Sequence, residues 1–270
     1  MKYIATIKSY YPSLSKTEKK VADYFIEQKG EVVYQTLLEI SKKIAVGEAS
    51  IVRFVKKIGF GGFQELKLEI AKEDTEELSE KYEDYIDLVE LNMLNIIKNT
   101  KLVLEQDKLN QAIEMIEKSK RICFYGVGTS GLTAQEAQNR FMRMGKIGNC
   151  VIDNHFQMMY SAALNEEDLV IAFSLSGNTK DIVEAVKLAK KSNVKVIAIT
   201  SYILSPLAEM ADCVILTACK ENPLDGGSLG GKISQLYIVD LLCTGYFRNN
   251  KNVKSIKQKT AQSILVCNKN

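Results

Sequence analysis

A chain of 270 residues, 46% apolar and 26% charged, has the make-up of folded globular protein and the length of two modest domains. No apolar run approaches the roughly 18 residues of a membrane span, and the opening MKYIATIKSYYPSLSK lacks the apolar core and cleavage site of a secretory signal, so a cytoplasmic protein with no membrane partner is expected. Net charge is only +3, and six cysteines (Cys123, Cys150, Cys213, Cys219, Cys243, Cys267) with no CxxC pair and a single histidine, His155, exclude a zinc site and a disulfide framework. Most of these cysteines sit in apolar runs such as RICFYG and DCVILTA, which reads as reduced core. No metal and no resident cofactor is expected.

Charge changes sign along the chain. Residues 1–73 carry thirteen Lys/Arg against nine Asp/Glu, whereas residues 74–120 carry six against twelve, the pattern of a basic nucleic-acid module ahead of an acidic connector. Apolar spacing is helical throughout the first part, and Ser15-Lys16-Thr17-Glu18 is a capping box ahead of a helix to about Gln28. Residues 1–75 are therefore expected to form an all-α domain. Within it, Leu37, Ile40 and Ile44 make the inner face of one short helix. Val46-Gly47-Glu48 makes a tight turn, and Ile51, Val55 and Ile58 make the inner face of a second helix ending at Gly59. Two short helices about a Gly-containing turn match a helix-turn-helix. The second helix presents Ser50, Arg53 and Lys57 outward, with Lys56 beside them. Arg pairs bidentately with a guanine edge, Lys neutralises phosphate and Ser donates to either. An ordinary helical hairpin with a solvated basic face has the same pattern.

Residues 76–105 follow as an acidic connector, where Ile86, Val89, Met93 and Ile96/Ile97 give a helix one apolar face, expected to dock on the second domain. From residue 106 to 248 short apolar runs (RICFYG, NCVID, DLVIAFS, VKVIAIT, CVILTA) alternate with amphipathic helices. Five strands apolar on both faces imply a parallel sheet covered on each side, an α/β doubly wound sandwich. Residues 249–270 are a tail too polar for core.

Two loops at strand ends carry the chemistry of the second domain. Gly126-Val127-Gly128-Thr129-Ser130-Gly131 follows the first strand and Ser174-Leu175-Ser176-Gly177-Asn178-Thr179 the third, each opening a helix at the carboxyl edge, where open α/β sheets bind ligands. Glycines admit backbone amides to an anion, helix N-termini favour negative charge, and hydroxyls donate to phosphate oxygens. Some of these hydroxyls serve equally as helix caps. The first loop also spells GxGxxG with Asp153 ending the next strand, as in a dinucleotide site, so a nicotinamide-sensing redox regulator is an alternative. A dinucleotide fold has no use for the SLSGNT loop.

The segment TLLEISKKIAVGEASIVRFVKKIGFGGFQELK resembles the N-terminal domain of the RpiR family of bacterial regulators. It departs from that pattern in Gly47, where the family usually has Ser, and Ser41, where it usually has Ala. GVGTSG, FSLSGNT, AITSYILSPLAEMAD and KISQLYIVDLL resemble the sugar isomerase (SIS) domain, and together the two resemblances cover nearly the whole chain. They imply a transcriptional regulator whose phosphate ligands are Ser130, Ser174, Ser176 and Thr179, with Thr129 and Asn178 as neighbours. Lys232 stands where the family usually has Arg.

SIS domains also occur in isomerases and lyase-type enzymes, which need a base near the sugar carbonyl. Glu136, Glu221 and His155 are the candidates, and none has a distinguishing context. The expected protein is thus not an enzyme. Its expected partners are a double-stranded DNA operator, a small phosphorylated sugar, and its own second copy in a homodimer or dimer of dimers.

Overall fold

The computed structural model describes residues 2–79, 84–218 and 229–267, which fall into two packed units that part after Leu91. The first is all-α: α1 (Lys2–Tyr10), α2 (Lys16–Gln28), α3 (Leu37–Ile44), α4 (Glu48–Lys57) and α5 (Phe63–Ser79). Helix α2 begins where its capping box places it, with Ser15 Oγ accepting from Glu18 N and the Glu18 carboxylate accepting from Ser15 N at 2.7 Å. Its Val21 and Phe25 meet Ile40, Ile51, Phe54 and Leu66 in one buried core, in which the Phe25 and Phe54 rings pack edge to face at 5.9 Å.

The expected domain edge at residue 75 falls inside α5, which runs on to Ser79 because FQELKLEIAKEDTEELS contains neither Gly nor Pro to stop it. The connector is a separate helix, α6 (Tyr85–Val103). Of its expected apolar face, Met93, Ile96 and Ile97 are half-buried. Ile86 and Val89 are exposed, and docking onto the second unit is made by its last turn, where buried Thr100 accepts from Ala218 N at 3.3 Å.

The second unit runs α7 (Gln106–Lys118), β1 (Arg121–Tyr125), α8 (Gly128–Met142), β2 (Gly148–Val151), α9 (Asn154–Ala163), β3 (Asp168–Phe173), α10 (Lys180–Lys190), β4 (Lys195–Thr200), α11 (Pro206–Met210), β5 (Cys213–Leu216), α12 (Leu229–Asn249) and α13 (Lys251–Cys267). All five strands are parallel, in the order β2-β1-β3-β4-β5. The period of two sorts side chains to both faces. Phe124, Ile171 and Ile197 face α7, α8 and α12, while Cys123, Val170 and Val196 face α10 and α11. Every residue of central β3 is buried, which is why these runs read as continuously apolar.

The register Arg121↔Asp168 is marked at the amino edge by a two-pronged ion pair, Arg121 Nε and Nη2 donating to Asp168 at 2.8 and 2.7 Å. The Arg121 guanidinium, helped by Asn165 N, holds the buried Asp168 carboxyl below its usual range.

The C-terminal residues correct the polar-tail expectation. They form α13, whose Val253 is buried in the core while Ile256 lies against Gly145 and Thr260 Oγ1 donates to Arg143 O at 3.1 Å. A helix on a surface needs only one narrow apolar stripe, which Val253 and Ile256 supply, with Thr260 adding a hydrogen bond one turn on.

Candidate functional site

The strand order places β1 and β3 side by side with their crossovers running in opposite directions along the sheet, so the loops following them diverge and open a crevice at their carboxyl ends. Both hydroxyl-bearing loops of the sequence lie there. Gly128 takes φ +56° and Gly177 φ +59°, a left-handed region that costs a residue bearing a Cβ.

In the first loop, Gly126 is buried and must lack a side chain, since a Cβ would lie 2.6 Å from the Ser130 carbonyl oxygen. The chain thereby turns directly into α8, with Ser130 buried in its first turn and Thr129 half-buried before it. Fully buried Gln157 of α9 supports this turn from below, its Nε2 donating to Val151 O at 2.7 Å and to Gly126 O at 3.3 Å. From the other side, Gln235 of α12 donates through Nε2 to Ser130 Oγ at 3.1 Å.

The second loop is anchored by backbone. Ser174 N donates to Ile199 O, Ser201 N and Thr200 Oγ1 to Leu175 O, and Leu207 N to Gly177 O at 3.0 Å. Ser174 is buried, Ser176 and Thr179 are half-buried and Asn178 is exposed. Ser174 and Thr179 share a hydroxyl–hydroxyl hydrogen bond of 2.9 Å, and Ser176 Oγ accepts from Asn178 N at 3.3 Å. Thr179 occupies the N-cap of α10 without using its hydroxyl on that helix. Three hydroxyls and a helix N-terminus, whose first amides have no intrahelical partner, thus converge within six residues.

The supporting residues Gln157, Thr200, Ser205 and Gln235 were not singled out from the sequence. Their one signal is a polar residue inside an apolar run, as in KISQLYIVDLL, which becomes informative only when the helix is seen to be buried there. Lys232 is half-buried in the first turn of α12.

Two of the three candidate bases are exposed away from these loops. Glu136 is exposed on α8, beside a separate cleft lined by Arg140, Arg143, Cys243 and Lys257, and His155 is exposed in the first turn of α9. Glu221 lies outside the described residues. Asp153 caps α9, its carboxylate accepting from Phe156 N at 3.1 Å, so the acid considered for a ribose is engaged on its own helix. Among the described residues no three His, Cys, Asp or Glu gather as a metal site, and no helix is long and apolar enough to cross a membrane.

The first unit carries the other site. Helix α3 starts at a second capping box, Thr36 with Glu39, and ends at Ala45 in the left-handed conformation (φ 51°, ψ 48°). The chain then turns through buried Val46 to Gly47, which caps α4 without a side-chain hydrogen bond. Buried Ile51, Phe54 and Val55 hold the inner face of α4, leaving Arg53, Lys56 and Lys57 exposed and Ser50 half-buried. Arg53 Nη2 donates to Ser50 Oγ at 3.0 Å, so these two lie together on the outer face.

Lys57 behaves differently from the expected free cation. Its Nζ donates to Glu18 at 2.9 Å and to Ser13 O at 3.2 Å, tying the end of α4 to the start of α2. The Lys57 ammonium in turn holds the Glu18 carboxyl below its usual range. An ion pair this exposed is worth only about 0–1 kcal/mol.

Comparison with known proteins accounts for both units. Residues 1–77 match the helix-turn-helix domain of the rpiR family and residues 115–245 the SIS domain. Over 273 aligned residues the chain is 34% identical to an HTH-type transcriptional regulator of Haemophilus influenzae, covering 96% of this chain and 95% of that one. It is 27% identical to the HTH-type transcriptional regulator RpiR of Escherichia coli, covering 93% and 88%. Among solved structures, the Vibrio vulnificus NanR protein complexed with ManNAc-6P superposes with a TM-score of 0.84 at 25% identity, covering 98% of both chains.

Proposed function

The chain belongs to the RpiR family of helix-turn-helix transcriptional regulators, and from that premise we propose that a phosphorylated sugar bound at the β1 and β3 loops controls its affinity for a DNA operator. The observation that carries this reading is the convergence of Ser130, Ser174, Ser176 and Thr179 on two helix N-termini at one crevice. Hydroxyls and helix-terminal amides are neutral donors suited to a phosphate dianion, and no buried counter-charge is needed to bind it. The relative that was solved with ManNAc-6P makes amino-sugar phosphates the first class to screen. Arg53, Lys56, Lys57 and Ser50 are assigned to DNA, with Arg53 reading base edges.

Two further assignments complete the reading. The protein senses its sugar without turning it over, a view supported by the exposed, unsupported settings of Glu136 and His155. It works as a homodimer or dimer of dimers, supported by the exposed apolar side chains Leu132, Ile147, Ile152, Phe156 and Met159 around α8, β2 and α9, an unusual grouping for a surface left in water. Ligand control then requires that the sugar phosphate bind two arrangements of the dimer with different affinity.

The test is a thermal-shift screen of hexose and amino-sugar phosphates with NADH as control, followed by operator binding with and without the hit. A hit should raise the melting temperature and change operator affinity. Ser174→Ala with Ser176→Ala should weaken that ligand at least tenfold, a hydrogen bond to a charged group being worth about 1.5–3 kcal/mol. Stabilisation by NADH instead, abolished by Asp153→Ala, would replace this reading with the redox regulator. Ligand-dependent exchange of the sugar C2 proton in deuterated water would make the protein an enzyme.

A further inference from the structure

Helix α12 bears on both loops through two residues one turn apart. Gly231 receives Leu175 of the second loop so closely that a Cβ there would collide with the Leu175 side chain. Gln235 reaches Ser130 of the first loop. This glutamine is fully buried, and while its Nε2 bonds Ser130 Oγ at 3.1 Å, its Oε1 has no hydrogen-bond partner among the described residues.

A buried amide with one end unsatisfied is less stable than an apolar side chain of the same shape, so packing alone does not account for glutamine at this position. The structure sets Nε2 of this amide, and not its oxygen, toward Ser130. That orientation fixes what Ser130 can do. An amide nitrogen only donates, so Ser130 Oγ must accept, and its own single hydrogen is left for another acceptor. Donation into Ser130 Oγ also polarises its O–H bond and strengthens it as a donor.

We infer that Gln235 is a positioning residue that turns the Ser130 hydroxyl hydrogen toward the phosphate. This rests on the proposed sugar-phosphate site and names the device that prepares its first loop. Sequence alone gives it no prominence, since Gln235 lies 105 residues from Ser130.

Gln235→Met keeps the length and unbranched shape and removes both amide ends. Calorimetry of the full chain with ManNAc-6P, and phosphorus NMR titration with inorganic phosphate, should show binding about tenfold weaker than the parent. The melting temperature of the free protein should hold or rise, because an orphaned acceptor has gone, whereas a merely structural glutamine would lower it. Ser130→Ala should weaken binding to a similar degree, and Ser130→Ala with Gln235→Met no further than Ser130→Ala alone, since the glutamine acts through that hydroxyl. Gln235→Glu, whose carboxylate takes the Ser130 hydrogen for itself, should bind more weakly still and serves if the Met variant fails to fold. Parent-like affinity in either Gln235 variant, or additive losses in the double variant, would overturn the assignment while leaving the phosphate site intact. A parent chain that binds neither probe would remove both.

Discussion

Gly128 and Gly177 offer a controlled experiment on the two loops, because they share a backbone conformation and differ in surroundings. Their φ angles are +56° and +59°, so replacing either with Ala forces an L residue into the left-handed region at about 1–2 kcal/mol. At Gly128 a Cβ would meet nothing within 4 Å, and the cost should stop there. At Gly177 the same Cβ would run into the hydroxyl of Ser205 and lie 2.8 Å from Thr200 Oγ1. Neither neighbour is free to retreat. Ser205 Oγ caps α11 by accepting from Ala208 N at 3.3 Å, and Thr200 Oγ1 donates to Leu175 O at 3.0 Å. Overpacking of this kind adds about 1–3 kcal/mol, so Gly177→Ala should cost about 2–5 kcal/mol against about 1–2 for Gly128→Ala. Urea denaturation followed by far-UV circular dichroism, with the sugar-phosphate titration run on the same preparations, measures both stability and site. Gly128→Ala destabilising as much as Gly177→Ala would refute the argument that α11 and the end of β4 clamp the second loop.

Three other outcomes follow from the geometry. Arg53→Ala should cost about 1–3 kcal/mol on the operator while Lys57→Ala weakens binding across sequences and lowers the salt slope by about one unit; operator titrations over a salt series in which neither variant changes would reject α4 as the recognition helix. Asp168, held ionised by Arg121, contributes stability present above its unfolded pKa of about 3.9 and lost as pH falls through its lower folded value, so Asp168→Asn should cost about 1.5–3 kcal/mol at neutral pH and flatten the acid limb of a pH-stability profile. Burial pushes the thiols of Cys123 and Cys243 up to about 12 and those of Cys150 and Cys213 up to about 11. Iodoacetamide on the native protein at about pH 8 should therefore leave these four unmodified by peptide mass spectrometry, since the thiolate is the reactive form, and rapid labelling of any of them would contradict that burial.

Periodicity and punctuation determined most of the architecture. Ser15 with Glu18, the apolar triplets flanking Gly47, and five strand-length apolar runs each state a local preference that the fold satisfies, because caps, turns and burial patterns act over a few residues. The two glycine- and hydroxyl-bearing loops stand out for the same reason, since each is a contiguous run of six residues at a strand end. The extent of α5, the exposed start of the α6 apolar face and the docking of α13 were decided by packing. So were the distant contacts of the two units: Gly231 against Leu175, Gln235 against Ser130 and Ser205 against Gly177 in the second, and Glu18 against Lys57 in the first. Each joins residues far apart in the chain, and no local pattern distinguishes a glutamine that aims a hydroxyl from one that faces water. Only the parallel order β2-β1-β3-β4-β5, which sets β1 beside β3, turns two separate loops into one crevice and one buried glutamine into a support for it.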